Sequence, residues 1–230
     1  MLHRLRSVLV RPGRDRLSGR VEVDETDIGG EEAGLPGGRA HGKKVLTGIA
    51  VEILEPKGFG RCRMRPLADA SAASLHPFVT DFVTPGATVI TDGWSGDCGL
   101  DQLGDVHQRR SQRAARVGSE DAEDLLPGVH RVASLAKRWL LGTHQGAVDR
   151  AHLASDLNEF VFRFNRRRSL RRGMVFYRVL ELAVVHEPVR DKDLVAAQRP
   201  RTVPPTSPKA RGHPTSLERP PADRPWRNSS

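Results

Sequence analysis

Cysteine is almost missing from this chain: Cys62 and Cys98 are the only two, and neither lies in a CxxC pair. A disulfide-stapled secreted scaffold and a four-cysteine zinc site are therefore both excluded. Long apolar runs are missing as well. No stretch approaches the roughly 18 residues of a membrane helix, and the opening MLHRLRSVLVRPGR is interrupted by Arg and Pro where a secretory signal would be continuous. The expectation is a soluble, cytoplasmic protein. Acid is in deficit: 28 Asp and Glu face 37 Lys and Arg, a formal charge of +9 over 230 residues. That balance suits a partner that is a polyanion, with nucleic acid first among them. Hydrophobic residues make up 37%, enough for one sizeable core.

The charge is not evenly spread. Residues 199–230 hold 8 of the 16 prolines, almost no large apolar side chain, and +5 of the +9. Such a segment buries too little surface to offset its ordering entropy, so residues 191–230 are expected to form a disordered basic tail. Residues 19–190 read as the folded domain.

Within that domain short apolar strands precede amphipathic helices. Residues 20–24 alternate with Val21 and Val23 on one side, 44–54 (KVLTGIAVEIL) read as a buried central strand, and 61–65 alternate Arg61, Arg63 and Arg65 with Cys62 and Met64. The last pattern predicts a strand with one wet face, stopped by Pro66. Residues 71–83 carry helical spacing, and 87–92 (ATVITD) form another short buried strand. Helical stripes follow at Val129, Val132, Leu135, Ala136 and Trp139, and at Leu153, Leu157, Phe160, Val161 and Phe164; residues 174–185 read as a third, more buried helix. Three strands, a helix, a strand and trailing helices predict an α/β fold of the ribonuclease H type, a mixed sheet with flanking helices.

Chemistry collects at a few places. Asp24 closes VEVD ahead of Gly29-Gly30, and Asp92 closes TVITD ahead of Gly93. Carboxylates at strand ends with glycine nearby can present hard oxygen ligands to Mg²⁺ or Mn²⁺; they are also ordinary turn formers. His130 opens a predicted helix, with Lys137 seven residues on and thus on the same face. A capped or solvated imidazole is the plainer reading. The run 163–172 (RFNRRRSLRR) gathers Arg163, Arg166, Arg167 and Arg168 without an acid, a phosphate-binding patch or a solvated basic loop. His144 and Gln145 sit in a glycine-flanked loop, where they contact substrate or cap a helix.

Four blocks in this order, VEVDETDIGG, VITDGWSG, HRVASLAKRWLLGTHQG and HLASDLNEFVFRFNRR, resemble the insertion-sequence transposases with an ISXO-type transposase domain. The resemblance spans roughly residues 17–190. It implies a ribonuclease H-like fold and a DDE-type site with two divalent metal ions, Mg²⁺ or Mn²⁺, in which Asp24 and Asp92 match the two aspartates. His130 falls on the third position, because relatives with Glu there also carry Lys seven residues later. It implies DNA strand cleavage and strand transfer at element ends, DNA as partner, and a homo-oligomer on DNA. Lys137 and Arg138, with Arg163, Arg166, Arg167 and Arg168, are then the DNA contacts.

Departures accompany the likeness. Asp27 and Asp97 stand where relatives usually carry Tyr, and the zinc-ribbon and helix-turn-helix region that precedes the catalytic domain in the family is not in this sequence, which suggests N-terminal truncation. Two other readings stay open: an inactive remnant that binds DNA without specificity, and a metal-dependent nuclease of the same fold. Glu120, Asp121, Glu123 and Asp124 form an alternative source for the third ligand.

Overall fold

The computed structural model describes residues 6, 8–11, 13–29, 44–56, 58–110, 125–144 and 150–185, without the side chains of His144 and Arg172. The chain divides into one compact unit, Met1–Arg199, and a second, Pro200–Ser230. The expected tail, the acidic cluster 120–124 and Gln145 lie outside the described residues.

Backbone hydrogen bonding builds a five-stranded mixed sheet from β1 (Arg20–Ile28), β2 (Val45–Ile53), β3 (Phe59–Pro66), β4 (Thr88–Thr91) and β5 (Val106–Arg109). The strand order is β3-β2-β1-β4-β5. β1–β2 and β2–β3 pair antiparallel, while β1–β4 and β4–β5 pair parallel. Parallel neighbours need a crossover. Helix α1 (Ala72–Phe82) lies in the connection that brings the chain from β3 across to β4 beside β1, packing Leu75, Phe78, Val79 and Phe82 against Val21, Val23, Ala50 and Val89.

The opposite face is covered by α2 (Pro127–His144) and α3 (Leu153–Asn165). Val129, Val132 and Ala136 of α2 and Leu157, Phe160 and Phe164 of α3 meet Ile49, Val51, Cys62 and Ile90 there. Two apolar clusters on the two sides of one sheet are the three-layer arrangement of a ribonuclease H-like fold. The sheet face is thus decided residue by residue: Val21 and Val23 turn to α1, whereas Glu22 and Asp24, one step out of phase, turn to α2.

Three expectations need correction. First, β1 does not end at Asp24; it runs on to Ile28 because residues 25–28 pair with residues 45–48 of β2. Second, the arginine face of β3 is only partly wet: Arg61 and Arg65 are half-buried and Arg63 is 4% exposed, covered by the chain at residues 14–17, whose Asp15 carbonyl accepts from Arg63 and whose Arg16 carbonyl accepts from Arg61. Third, helix α4 (Arg172–Val184) is not deeply buried. Val175, Val179, Leu182 and Ala183 reach Val8 and Phe162, while Met174, Phe176, Tyr177 and Leu180 are exposed.

Candidate active site

Asp24 sits where two neighbours of β1 part company. On the β4 side the register is Arg20↔Thr88, Val21↔Val89 and Glu22↔Ile90, and β4 ends at Thr91. Continuing that register sets Asp92 level with Asp24, and the Asp92 carboxylate is close enough to act on that of Asp24. Gly93, with φ +83°, turns the chain in the left-handed region that favours glycine. The turn then folds back on residue 70: Trp94 donates its indole N–H to the Ala70 carbonyl, and a Cβ on Gly96 would collide with that same oxygen. Fixed this way, the turn Ser95–Asp97 holds Asp97 at 5% exposure.

The third element arrives through Glu22. Its Oε2 accepts the backbone N–H groups of Gly128 and Val129 at 2.7 and 3.0 Å, tying the first turn of α2 to β1 by the two donors a helix start leaves open. Glycine suits position 128, since an added Cβ would lie 2.8 Å from both Glu22 Oε2 and Ile53 Cδ1 and one of them would have to shift. One residue on, His130 Nε2 lies 3.9 Å from Asp24 Oδ2. Two turns further, Lys137 Nζ donates to Thr26 Oγ1 at 2.7 Å. Glu22, Asp24 and Thr26 are consecutive same-face positions of β1, and α2 runs along them.

Electrostatics bind the cluster together. Burial pushes the Asp24 carboxyl up to about 6; the Glu25 N–H and His130 pull it down, while the carboxylates of Asp92 and Asp97 push it further up. Asp97 is also pushed up to about 6, first by burial, with Asp92 adding to it and the Thr91 hydroxyl and Arg109 opposing it. Burial likewise raises Glu22 against the two backbone N–H groups it accepts. Desolvated like charges of this kind are arrangements that a cation would stabilise. The donor set, carboxylate oxygens with one imidazole, suits a divalent metal. Among the described residues no three His, Cys, Asp or Glu side chains already stand at ligand distances from a common point, so the fit is one of donor type and charge.

The remaining candidates scatter. Arg138 is exposed on α2. Arg163 is held by Glu159 at 2.8 Å. Arg166 and Arg167 stack over Phe162 and Phe164 with 3.7 and 3.8 Å from guanidinium carbon to ring centre, and Arg167 donates to the carbonyls of Phe59, Gly60 and Phe164. Arg167 thereby fastens the end of α3 to the start of β3, while Arg163 and Arg166 stay on their own helix. Phe59 pairs with Ile53, and Ile53 with Arg20, so that end of the sheet lies about four residues, roughly 13 Å, along the strands from Asp24. Arg168 is exposed. Sequence reasoning missed Glu22 and Thr26, although their period-2 spacing with Asp24 was available as a hint; Asp97 stood out only as a departure and carried no spacing signal.

The sequence pattern of the ISXO2-like transposase domain family matches residues 16–165. The chain belongs to that family. Its match begins just before β1 and ends with α3, so it encloses the whole sheet and every residue around Asp24. As a member of the ISXO2-like transposase family the domain has a transposase role, and DNA is the substrate that role implies. A search of the curated proteins finds no match. Among the described residues no helix is long and apolar enough to cross a membrane.

Proposed function

We propose that this ISXO2-like domain cleaves DNA strands at insertion-sequence ends and joins them to target DNA, with Asp24, Asp92 and His130 as its metal-binding and catalytic groups. The observation that carries the reading is the meeting of Asp24 and His130 at 3.9 Å beside a strand register that brings Asp92 level with Asp24. These residues are 68 and 38 positions apart in the chain, and a structural role for any one of them does not require the other two.

Asp24, with Asp92 and His130 beside it, would hold the two ions, Asp92 contributing to one and His130 to the other. Bound there, two divalent cations supply an activated water or 3′-hydroxyl and a stabilised leaving oxygen for in-line displacement at phosphorus. The imidazole makes Mn²⁺ a better match than Mg²⁺ at its position. Lys137 is held by Thr26 beside the acids, where its ammonium can meet a phosphate of the bound strand. Arg138 extends that positive edge on α2, and Arg163, Arg166, Arg167 and Arg168 add positive charge near flanking duplex. The domain would work in the cytoplasm, as a homo-oligomer that pairs two ends.

The test is a strand-transfer assay with labelled duplex ends in Mn²⁺ and in Mg²⁺, comparing the wild type with Asp24→Asn, Asp92→Asn and His130→Ala. Joined products in the wild type, lost in all three variants, are expected. Cleavage without joining would make the domain a nuclease, and a wild type inactive in both metals would make it a remnant. Full activity of His130→Ala would remove His130 from the site.

A further inference from the structure

A cavity of about 320 Å³ opens beyond the β3 edge, between that strand, α3, α4 and the residues Leu9, Arg11, Arg14 and Asp15, at the lower end of the size range of ligand pockets. Its polar lining is unusual for a structural gap. Arg11, Arg14, Arg61, Arg63, Arg166 and Arg178 all face it, against the single acid Asp15.

Carboxylates account for only part of that charge. Asp15 lies 3.1 Å from Arg11 and 3.8 Å from Arg61, Glu52 takes Arg61 at 2.7 Å, and Glu181 takes Arg178 at 2.6 Å. Among the described residues no carboxylate pairs with Arg14, Arg63 or Arg166. Arg14 and Arg166 lie over the rings of Phe82 and Phe162. Arg63, 4% exposed, donates to two backbone carbonyls and leaves its Nε without a partner among the described residues.

Desolvated guanidinium groups that face one another are costly unless an anion joins them. The stress is visible in their proton affinities. Burial, then Arg14 and Arg61, hold Arg63 down to about 10, and burial, then Arg178 and Arg11, lower Arg166. A second hollow of about 310 Å³ shares Arg166 and Arg178 and adds Arg171 and Ser169. The basic lining is therefore a track longer than one anion needs, as successive phosphates along a strand would use.

We infer that this arginine-lined cavity is a phosphate site, which takes a backbone phosphate of duplex DNA at the β3 edge, away from Asp24, Asp92 and His130. It rests on DNA being the substrate of the domain and not on the catalytic roles assigned above. Guanidinium forks match phosphate oxygens in pairs, and each phosphate neutralised releases counterions, so the site contributes affinity without sequence choice.

The test uses the full chain, the wild type against Arg14→Gln, Arg166→Gln and the double variant. Arg63 is left alone because it ties Cys62 to Asp15. Duplex binding is measured by fluorescence anisotropy from 50 to 300 mM salt. Each substitution should lower the slope of log affinity against log salt by about 1. In parallel, inorganic phosphate at matched ionic strength should raise the unfolding temperature of the wild type above its value in chloride, and the double variant should lose that increment. An unchanged DNA slope with a lost phosphate increment would overturn the assignment to DNA and leave a free-phosphate site; no change in either would overturn the site itself. If Arg166→Gln unfolds the domain, Arg14→Gln with Arg178→Gln carries the same comparison. Repeating the binding series in Asp24→Asn separates the two readings: loss of strand transfer with an intact salt slope touches catalysis alone.

Discussion

Replacing Asp24 by Asn should make the domain more stable at neutral pH while it abolishes strand transfer. The carboxyl is held at about 6 against an ordinary 3.8, chiefly by burial. At about 1.4 kcal/mol for each tenfold change in proton affinity, the ionised folded state carries a penalty of up to about 3 kcal/mol. The neutral amide removes the penalty and can still accept the Glu25 N–H at its Oδ1, the bond now 2.7 Å long. It gives up only the attraction to His130, whose side chain is 52% exposed and so contributes little. Because the folded-state value is raised, the wild type is favoured at low pH and loses stability as pH rises from about 4 through about 6. Urea unfolding in EDTA should therefore show Asp24→Asn ahead by roughly 1–3 kcal/mol at pH 7.5 and level with the wild type near pH 4. Adding Mn²⁺ should raise the wild-type midpoint and leave the variant unmoved. Equal or lower stability of the variant at pH 7.5, or an advantage that persists at pH 4, would refute the reasoning, because desolvation at Asp24 would then not be stored in the fold.

Gly128→Ala pushes a methyl to 2.8 Å from Glu22 Oε2 and Ile53 Cδ1; a loss of about 1–3 kcal/mol with slower strand transfer is expected, since either the turn that carries His130 or the Glu22 carboxylate that anchors it must move, and a variant as stable as the wild type in urea contradicts it. Asn165 closes the exposed side of β3 by accepting the Cys62 N–H at 2.8 Å and donating to the Cys62 carbonyl at 3.2 Å. Asn165→Ala leaves the Cys62 N–H without its acceptor, while the carbonyl keeps Arg63, and should lower the urea midpoint by an amount equivalent to about 1–3 kcal/mol. Cys62 is buried with its thiol pushed up to about 12, whereas Cys98 is exposed. A disulfide reagent at pH 8 should thus titrate one thiol in the native protein and two in urea, and two in the native state would show that β3 opens.

Much of this architecture was legible because period and punctuation agreed. β2 is a nearly continuous apolar run that needs cover on both faces, and it received Phe78 on one side and the α2–α3 layer on the other. The stripes of α2 and α3 became the buried faces they described. β5 was not legible: of its four residues only His107 is partly buried, and Val106, Gln108 and Arg109 show no alternation that a strand alone would require. It is a strand because β4 offers it hydrogen-bonding partners from Thr88 to Thr91. Helix α4 failed the opposite way: its apolar residues promise burial, yet burial needs an opposing surface, and in its apolar cluster Val8, Leu9 and Phe162 supply a small one.

By itself the sequence determined the kinds of group and their local directions: Glu22, Asp24 and Thr26 on one face of a strand, His130 and Lys137 on one face of a helix, arginine on one side of β3. Those follow from backbone periods of 2 and 3.6, which act within a few residues. Only the tertiary structure decided that the strand face meets the helix face, that Asp97 joins Asp24 and Asp92, and that Arg63 is walled in by the chain at residues 14–17. Such meetings depend on hydrogen-bond register between distant strands and on which surfaces pack, and neither quantity is written in the spacing of any one segment.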